Sequence, residues 1–197
     1  MIQICGKSAG FSLIFQHPGK GPGGGAAGHD NGRGGGGGYG APGQHATGSP
    51  EGAGGPAYGS PFQPSDLGSG GGGGSQDGSR GGAGGGAIHL YAYDALTVGS
   101  TARLLANGAG GGGGARDNGG GATSGAGGAG AGGGLRLEAQ TLTLSATPPA
   151  VSARGAGGST TNGGTIKLFY DSFSGTLPTS SSAGRVYNAG TGSWDEP

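Results

Sequence analysis

The sequence has few of the residues from which a hydrophobic core is built. Leu, Ile, Val and Phe supply 25 of its 197 residues, about 13%, and chains below about 20% fall in the range suspected of disorder. That criterion also requires a high net charge, whereas here ten basic residues balance ten acidic ones. The chain is therefore poor in core formers without repelling itself, and we do not expect one compact hydrophobic core for its whole length.

Other absences exclude several classes of protein. No block of basic residues is present, which argues against a nucleic-acid partner. No apolar run approaches the roughly 20 residues of a membrane-spanning helix, and the first fifteen residues lack the basic region of a signal peptide. Cys5 is the one cysteine, which excludes a disulfide framework or a thiolate metal cluster within the chain.

We predict no catalytic, cofactor-binding or metal-ligating residues, and hence a protein that is not an enzyme. No phosphate-binding loop with its lysine is present, and the four histidines fit no ligand spacing. Asp77 and Asp117 narrowly miss the glycine-rich calcium-binding repeat, each because a required glycine is replaced. The acidic residues Asp94, Glu138 and Asp171 occupy offset positions in successive blocks, so we do not expect a catalytic cluster of carboxylates.

What the chain does contain is an internal repeat hidden between glycine runs. Three similar blocks span residues 87–108, 135–155 and 165–187, and each is rich in alternating apolar residues. A period of two within each block predicts half-buried strands. The predicted correspondence forms these rows: Ile88, Leu135 and Ile166; Leu90, Leu137 and Leu168; Ala92, Ala139 and Tyr170; Leu96 with Leu142; Val98 with Leu144.

The length of the blocks suggests how the strands are arranged. Each block has about twenty residues, with a slip in apolar parity between Ala139 and Leu142 that predicts a corner. This is the size of one turn of a β-solenoid, whose turns bury their apolar faces by stacking. We therefore predict an all-β fold, a short right-handed parallel β-solenoid with glycine-rich insertions. The alternative is a small antiparallel sheet with glycine-rich loops.

The glycine runs, which contribute most of the 59 glycines, allow two physical states. Ordering glycine costs more conformational entropy than ordering any other residue, which favours disorder. Alternatively, the runs form bundled polyglycine-II helices, which pack closely because they lack Cβ atoms. Asp-Gly and Asn-Gly turn signals interrupt the runs, and reversals of this kind favour the bundle.

The predicted organisation follows the shifts in composition. Residues 1–18 form an N-terminal strand segment or partial turn that contains Ile2, Ile4 and the apolar run 11–15. Residues 19–86 form a glycine-rich insertion, and residues 87–187 form solenoid turns with insertions at 108–134 and 155–164. Residues 188–197 form a C-terminal tail.

Several short motifs resemble a known group of proteins. Gly-Gly-Tyr-Gly at 37–40, Leu-Gly-Ser-Gly-Gly-Gly at 67–72 and Gly-Gly-Ala-Ile at 85–88 recur in the glycine-rich repeat regions of large secreted and surface proteins. Ala-Tyr-Gly at 57–59 and Ala-Asn-Gly at 106–108 add to this resemblance, which covers roughly residues 19–175. It implies an extracellular or cell-surface, repetitive, β-solenoid-like material without catalytic residues.

Together these features predict a structural protein. We expect it to stack with copies of itself into a filament, appendage or surface layer, since uncapped strand edges invite addition of another copy. The alternative is an adhesin or ice-binding module that uses a rigid glycine-rich face. Candidate partner contacts are the aromatic residues Tyr91, Tyr93, Tyr187 and Trp194, which would bind another copy, glycans or a cell surface, or else cover the glycine bundle.

Overall fold

The computed structural model describes residues 17–30, 32–47, 52–60, 62, 66–75, 79–114, 125–145, 151–156 and 161–195. The following residues of the sequence predictions lie outside these ranges: Ile2, Ile4, Cys5, the run 11–15, Asp77 and Asp117.

The described residues form two sheets and almost no helix. The strands are β1 (Ala87–Tyr91), β2 (Ala95–Val98), β3 (Leu104–Leu105), β4 (Gly134–Leu144), β5 (Val151–Ser152), β6 (Thr165–Gly175), β7 (Arg185–Asn188) and β8 (Ser193–Asp195). The large sheet has the order β1-β4-β6-β7-β8, with β2 also paired to β4, and the small sheet pairs β3 with β5. One short 3-10 turn, Ser180–Ser182, precedes β7.

The predicted correspondence between the blocks is confirmed as strand register. Ile88 pairs with Leu135 and Leu135 with Ile166, while Leu96 pairs with Leu142. Apolar side chains two residues apart therefore share one face of the sheet, and the same rows continue across neighbouring strands. The buried core they form consists mainly of Leu135, Leu137, Leu142, Leu144, Val151, Ile166, Leu168 and Val186.

The predicted short right-handed parallel β-solenoid, with its glycine-rich insertions, is nevertheless wrong. In a solenoid, every turn adds one strand to each sheet. Here the large sheet has six strands and the small sheet has two. The large sheet is also mixed, because β8 runs antiparallel to β7. Gly192 has a φ of 66° and donates to the carbonyl of Asn188, which reverses the chain within the segment that was predicted to be a C-terminal tail. The antiparallel alternative is wrong as well, since the other strand pairs are parallel.

The glycine-rich segments lie at the amino-terminal ends of the parallel strands. Gly86 precedes β1, Gly133 precedes β4 and Gly164 precedes β6. Parallel strands need long crossover connections, which are usually helices. In this chain, the connections are glycine-rich segments that are joined to one another by backbone hydrogen bonds.

Within the glycine-rich layer, the residues 34–39 show how the segments are joined. Amides three residues apart bond to the same neighbouring segment, so the segment is linked to three neighbours in turn. The pairs are Gly34 to Ala126 and Gly37 to Ala129, Gly35 to Ala26 and Gly38 to Gly23, and Gly36 to Gln44 and Tyr39 to Ala41, at 2.7–3.0 Å. Buried amides are thus paired without a sheet or an α-helix.

Candidate interaction site

Strands β1 and β2 form one edge of the large sheet, and no described strand lies on their outer side. In the glycine run that follows β3, the amides of Ala109 and Gly112 bond to the carbonyls of Ala83 and Arg80. Strands β1 and β2 both pair with β4, and their alternate backbone groups bond to it. Between the two strands, the carbonyl of Asp94 accepts a hydrogen bond from the Thr141 amide at 2.8 Å. The remaining backbone groups of these strands point away from β4, and no described residue pairs with them. We call residues 86–113, which contain β1, β2, β3 and the first part of a glycine run, the open edge.

Glycines on the open edge face empty space. A Cβ added at Gly110 or Gly113 would meet no atom within 4 Å, and the same holds for Gly86 and Gly99. By contrast, a Cβ at Gly111 would lie 2.2 Å from the carbonyl oxygen of Gly127 on the inner side. This glycine run is therefore packed on two sides, against residues 127–130 and against residues 79–83. Its third side, at Gly110 and Gly113, presents bare backbone to which another extended chain has close access.

Apolar side chains accompany the exposed backbone of the open edge. Leu105 is 47% exposed, and Ile88, Leu90 and Leu96 are partly buried against the core. In an interior strand such residues would be covered from both sides, as Leu137 is in β4. The open edge therefore combines unpaired hydrogen-bonding groups with partly covered apolar residues, the properties that make sheet edges prone to pairing with another chain.

The opposite end of the large sheet is only partly covered. Strand β7 pairs with the first four residues of β6, from Thr165 to Leu168. No described strand lies beyond the second half of β6, where Phe173 is half-buried. Among the described residues, the large sheet thus has an open edge at β1 and β2, and a half-open edge at β6.

The four aromatic residues predicted as partner contacts lie in two different environments. Tyr91 and Tyr93 are 63% and 78% exposed. Tyr187 is 7% exposed, with its ring centroid 5.3 Å from that of Trp194 and 5.9 Å from that of Phe62. The structure leaves Tyr91 and Tyr93 accessible to a partner, whereas Tyr187 lies inside an aromatic cluster.

A buried polar cluster joins the large sheet to the glycine-rich layer. The hydroxyl of Tyr39 accepts hydrogen bonds from the Asp66 amide at 2.9 Å and from Thr165 Oγ1 at 3.1 Å. Burial raises the pKa of Tyr39 above its ordinary value, although the two hydrogen bonds oppose the shift. Lys167 is also fully buried, and burial lowers its pKa, partly offset by the carboxylate of Asp66.

Sequence reasoning missed this cluster. Tyr39 lies between glycine runs, yet it is 0% exposed. The flanking glycines carried a signal, because a large ring reaches the interior only where neighbouring segments lack side chains. At Gly59, for example, an added Cβ would lie 2.8 Å from the Tyr39 ring.

Grouped metal ligands and long apolar helices are both absent from the described part of the chain. No group of three or more His, Cys, Asp or Glu side chains there is arranged to hold a metal ion. Across the described residues, no helix has the length and apolar character needed to cross a lipid bilayer. Glu138 and Asp171, which the sequence placed at offset positions, line one surface cleft together with Tyr91 and Tyr93.

Comparisons with known proteins bring no family to this fold. The resemblance to glycine-rich repeat regions therefore stays a prediction from short motifs. No protein-family model matches the chain, and no curated protein or solved structure is significantly similar to it.

Proposed function

We propose that this chain is a non-enzymatic structural protein that assembles with copies of itself through the open edge. The observation that carries the proposal is the position of the glycines on that edge. Gly110 and Gly113 face empty space, so packing within the described chain does not require their lack of a side chain. A second extended chain lying against them would require it.

The ends of the large sheet suggest the direction of assembly. Strands β2, β4 and β6 run parallel in one ladder, with an exposed edge on β2 and another on the second half of β6. A second copy whose β2 pairs with this part of β6 would continue the same ladder. Such a contact joins two different surfaces, and head-to-tail contacts of that kind generate open-ended filaments unless the rotation closes a ring.

The C-terminal hairpin limits this contact to half of the edge. Strand β8 folds back on β7, and the amide of Ser180 donates to the Asp195 carboxylate at 2.7 Å. Because β7 pairs with Thr165 to Leu168, the β7–β8 hairpin covers the first part of the edge of β6. We therefore expect the contact to be carried by β2, β3 and the glycine run rather than by β1.

The test is negative-stain electron microscopy and light scattering of the full chain over a concentration series. Filaments or layers that grow with concentration are expected. The double variant Gly110→Val and Gly113→Val fills empty space, so it should keep the melting temperature of the parent and abolish assembly. The matched control, Ala53→Val with Ala57→Val, alters two exposed residues of another extended segment and should assemble normally.

Each adverse result contradicts a different part of the proposal. Isolated particles of the parent chain at every concentration would exclude self-assembly. A dimer that does not grow further would exclude head-to-tail growth, because pairing of two identical surfaces closes on itself. Normal assembly by a folded Gly110→Val and Gly113→Val variant would remove the open edge from the contact.

The proposal includes a location outside the cell or at its surface. This part rests on the motif resemblance, in which glycine-rich repeats belong to secreted and surface proteins. Labelling of intact cells of the source organism with an antibody to the chain tests it directly. Labelling only after the cells are permeabilised would refute it.

A further inference from the structure

A shallow cleft on the large sheet brings aromatic and polar side chains together. Its volume is about 390 Å³, within the range of small-molecule sites. The residues that carry the argument are Tyr91, Tyr93, Glu138, Gln140, Phe169 and Asp171. The cleft lies at the carboxyl end of β1, away from the glycine-rich layer that precedes the strands.

The strand register builds the cleft. Tyr91 pairs with Glu138, and Glu138 pairs with Phe169, so these side chains form a row across three strands at a spacing of about 4.8 Å. The next outward positions bring Tyr93, Gln140 and Asp171 to the same cleft. Aromatic and hydrogen-bonding groups therefore alternate along a surface about three strands wide.

Several of the wall residues are held in place. Arg136 Nε and Nη2 donate to one oxygen of Glu138, at 3.1 and 2.9 Å. The guanidinium of Arg136 also lies 4.3 Å from the centroid of the Phe169 ring. Tyr91 and Tyr93 remain mostly exposed. The cleft thus has a fixed wall at Glu138 and Phe169, with two accessible rings beside it.

This combination matches the chemistry of a saccharide. A sugar ring has an apolar face of C–H groups and a rim of hydroxyls, each of which both donates and accepts hydrogen bonds. Tyrosine rings offer an apolar surface with a polar tip, Gln140 offers both a donor and an acceptor, and Asp171 offers acceptors. Few polar groups placed among aromatic surfaces are typical of ligand sites.

The main alternative is a cation, which aromatic rings also bind. The charge distribution disfavours it. Arg136 neutralises Glu138 at 2.9 Å and covers the Phe169 ring, so a positive group already occupies the wall on which a cation would depend. His89 Nε2 lies 3.5 Å from the same carboxylate.

We propose that this cleft binds a neutral oligosaccharide, with Tyr91 and Tyr93 stacking on sugar rings and Gln140 and Asp171 bonding to hydroxyls. The cleft and the self-assembly contact use different parts of the open edge. The cleft uses the side chains of Tyr91 and Tyr93, whereas the contact is expected to use β2, β3 and the glycine run. A structural material with such a site would be attached to polysaccharide.

The test is calorimetric titration of the full chain with cellohexaose, chitohexaose, maltohexaose and, separately, choline. At least one hexasaccharide should bind, and Tyr93→Ala should weaken that binding at least about tenfold, the loss of one stacked ring. Tyr93→Phe keeps the ring and should retain binding. The matched control Phe62→Ala removes another exposed aromatic ring and should bind as the parent does.

Asp171→Asn separates the two ligand chemistries. It keeps a hydrogen-bonding group and removes a charge, so saccharide binding should change by less than about threefold, whereas a bound cation would lose a charge partner. A specific site would have a dissociation constant far below about 10 mM. If none of the three hexasaccharides binds at that concentration, the proposal is overturned. Binding of choline alone would also overturn it, as would tight saccharide binding unaffected by Tyr93→Ala.

Discussion

Substitution of Gly35 by alanine should unfold the glycine-rich layer locally. An added Cβ would lie 2.0 Å from the Ala53 carbonyl oxygen and 2.7 Å from that of Gly52. Ordinary contact begins at 3.4 Å, so this backbone would have to withdraw by about 1.4 Å. The Gly35 amide bonds to Ala26, and its carbonyl accepts from the Gly72 amide, both at 2.8 Å, so Gly35 itself is held in place.

The magnitude follows from the two effects together. Overpacking of a well-packed interior costs about 1–3 kcal/mol, and a displaced backbone weakens buried hydrogen bonds worth about 1 kcal/mol each. We expect a loss of about 3–5 kcal/mol, which corresponds to a fall in melting temperature of roughly 10 °C for a chain of this size. Urea denaturation followed by circular dichroism measures the free energy of unfolding, provided that the transition is two-state.

The control for this prediction is Gly113→Ala. Its Cβ would meet nothing within 4 Å, and the φ of Gly113 is not in the left-handed region. Alanine restricts the unfolded chain, so we expect a gain of about 0.4–1 kcal/mol when the measurement is made below the concentration of assembly. Equal stability of the Gly35→Ala and Gly113→Ala variants would refute the argument that these segments require bare backbone.

Three further variants test the sheet and the buried polar cluster. Leu137 is fully buried in the core, so Leu137→Ala should cost about 2–5 kcal/mol by urea denaturation; a loss below 1 kcal/mol would contradict the packing of β4. The raised pKa of Tyr39 means that the folded state holds the phenolic proton more tightly than the unfolded chain. The resulting stability is present below pH 10 and is lost as pH rises through the raised pKa. Tyr39→Phe should therefore lower stability at pH 7, since it leaves the amide of Asp66 and the hydroxyl of Thr165 without this acceptor, and should flatten the decline above pH 10; an unchanged decline would contradict the assignment. The pKa of Lys167 is lowered from 10.5, so its charge destabilises the fold below the folded-state pKa, and the penalty is relieved as pH rises toward 10.5. Lys167→Met removes this titration, so the rise in stability as pH approaches 10.5 should be smaller in the variant, and an unchanged rise would contradict the assignment.

The strands and their register could be predicted from the sequence because the signal is local. Alternation of Ile88 and Leu90 with His89 and Tyr91 defines one face, and the same spacing recurs at Leu135 and in β6. Parallel pairing of equivalent residues keeps these faces together. Periodicity therefore predicted which residues align.

The antiparallel strand β8 could not be predicted in the same way, and residues 188–197 were predicted only as a C-terminal tail. Nothing in the apolar pattern distinguishes Val186 in β7 from the equivalent residues of earlier strands, yet β7 is followed by an antiparallel turn at Gly192. The reversal depends on a left-handed glycine and on hydrogen bonds to the Asn188 carbonyl. Because the sequence contains many glycines, composition does not show which of them adopts the left-handed conformation.

The candidate surfaces were partly predictable. Exposure of Tyr91 and Tyr93 follows from their positions at the end of edge strand β1 and in the bend after it, whereas burial of Tyr187 depends on Trp194 and Phe62. Phe62 lies 125 residues from Tyr187 in sequence, and periodicity cannot detect such a contact. The empty space beside Gly110 is likewise a property of the packed layer and not of the run itself.

The composition of the glycine-rich layer has a thermal consequence. Its segments are joined by backbone hydrogen bonds, and its glycines carry no apolar side chains. Exposure of apolar surface raises the heat capacity on unfolding, and exposure of peptide groups lowers it. The heat-capacity increment per residue should therefore fall below the usual 12–15 cal/mol/K, about the average for globular proteins. A smaller increment flattens the curve of stability against temperature, so the layer that lacks a hydrophobic core loses least on cooling.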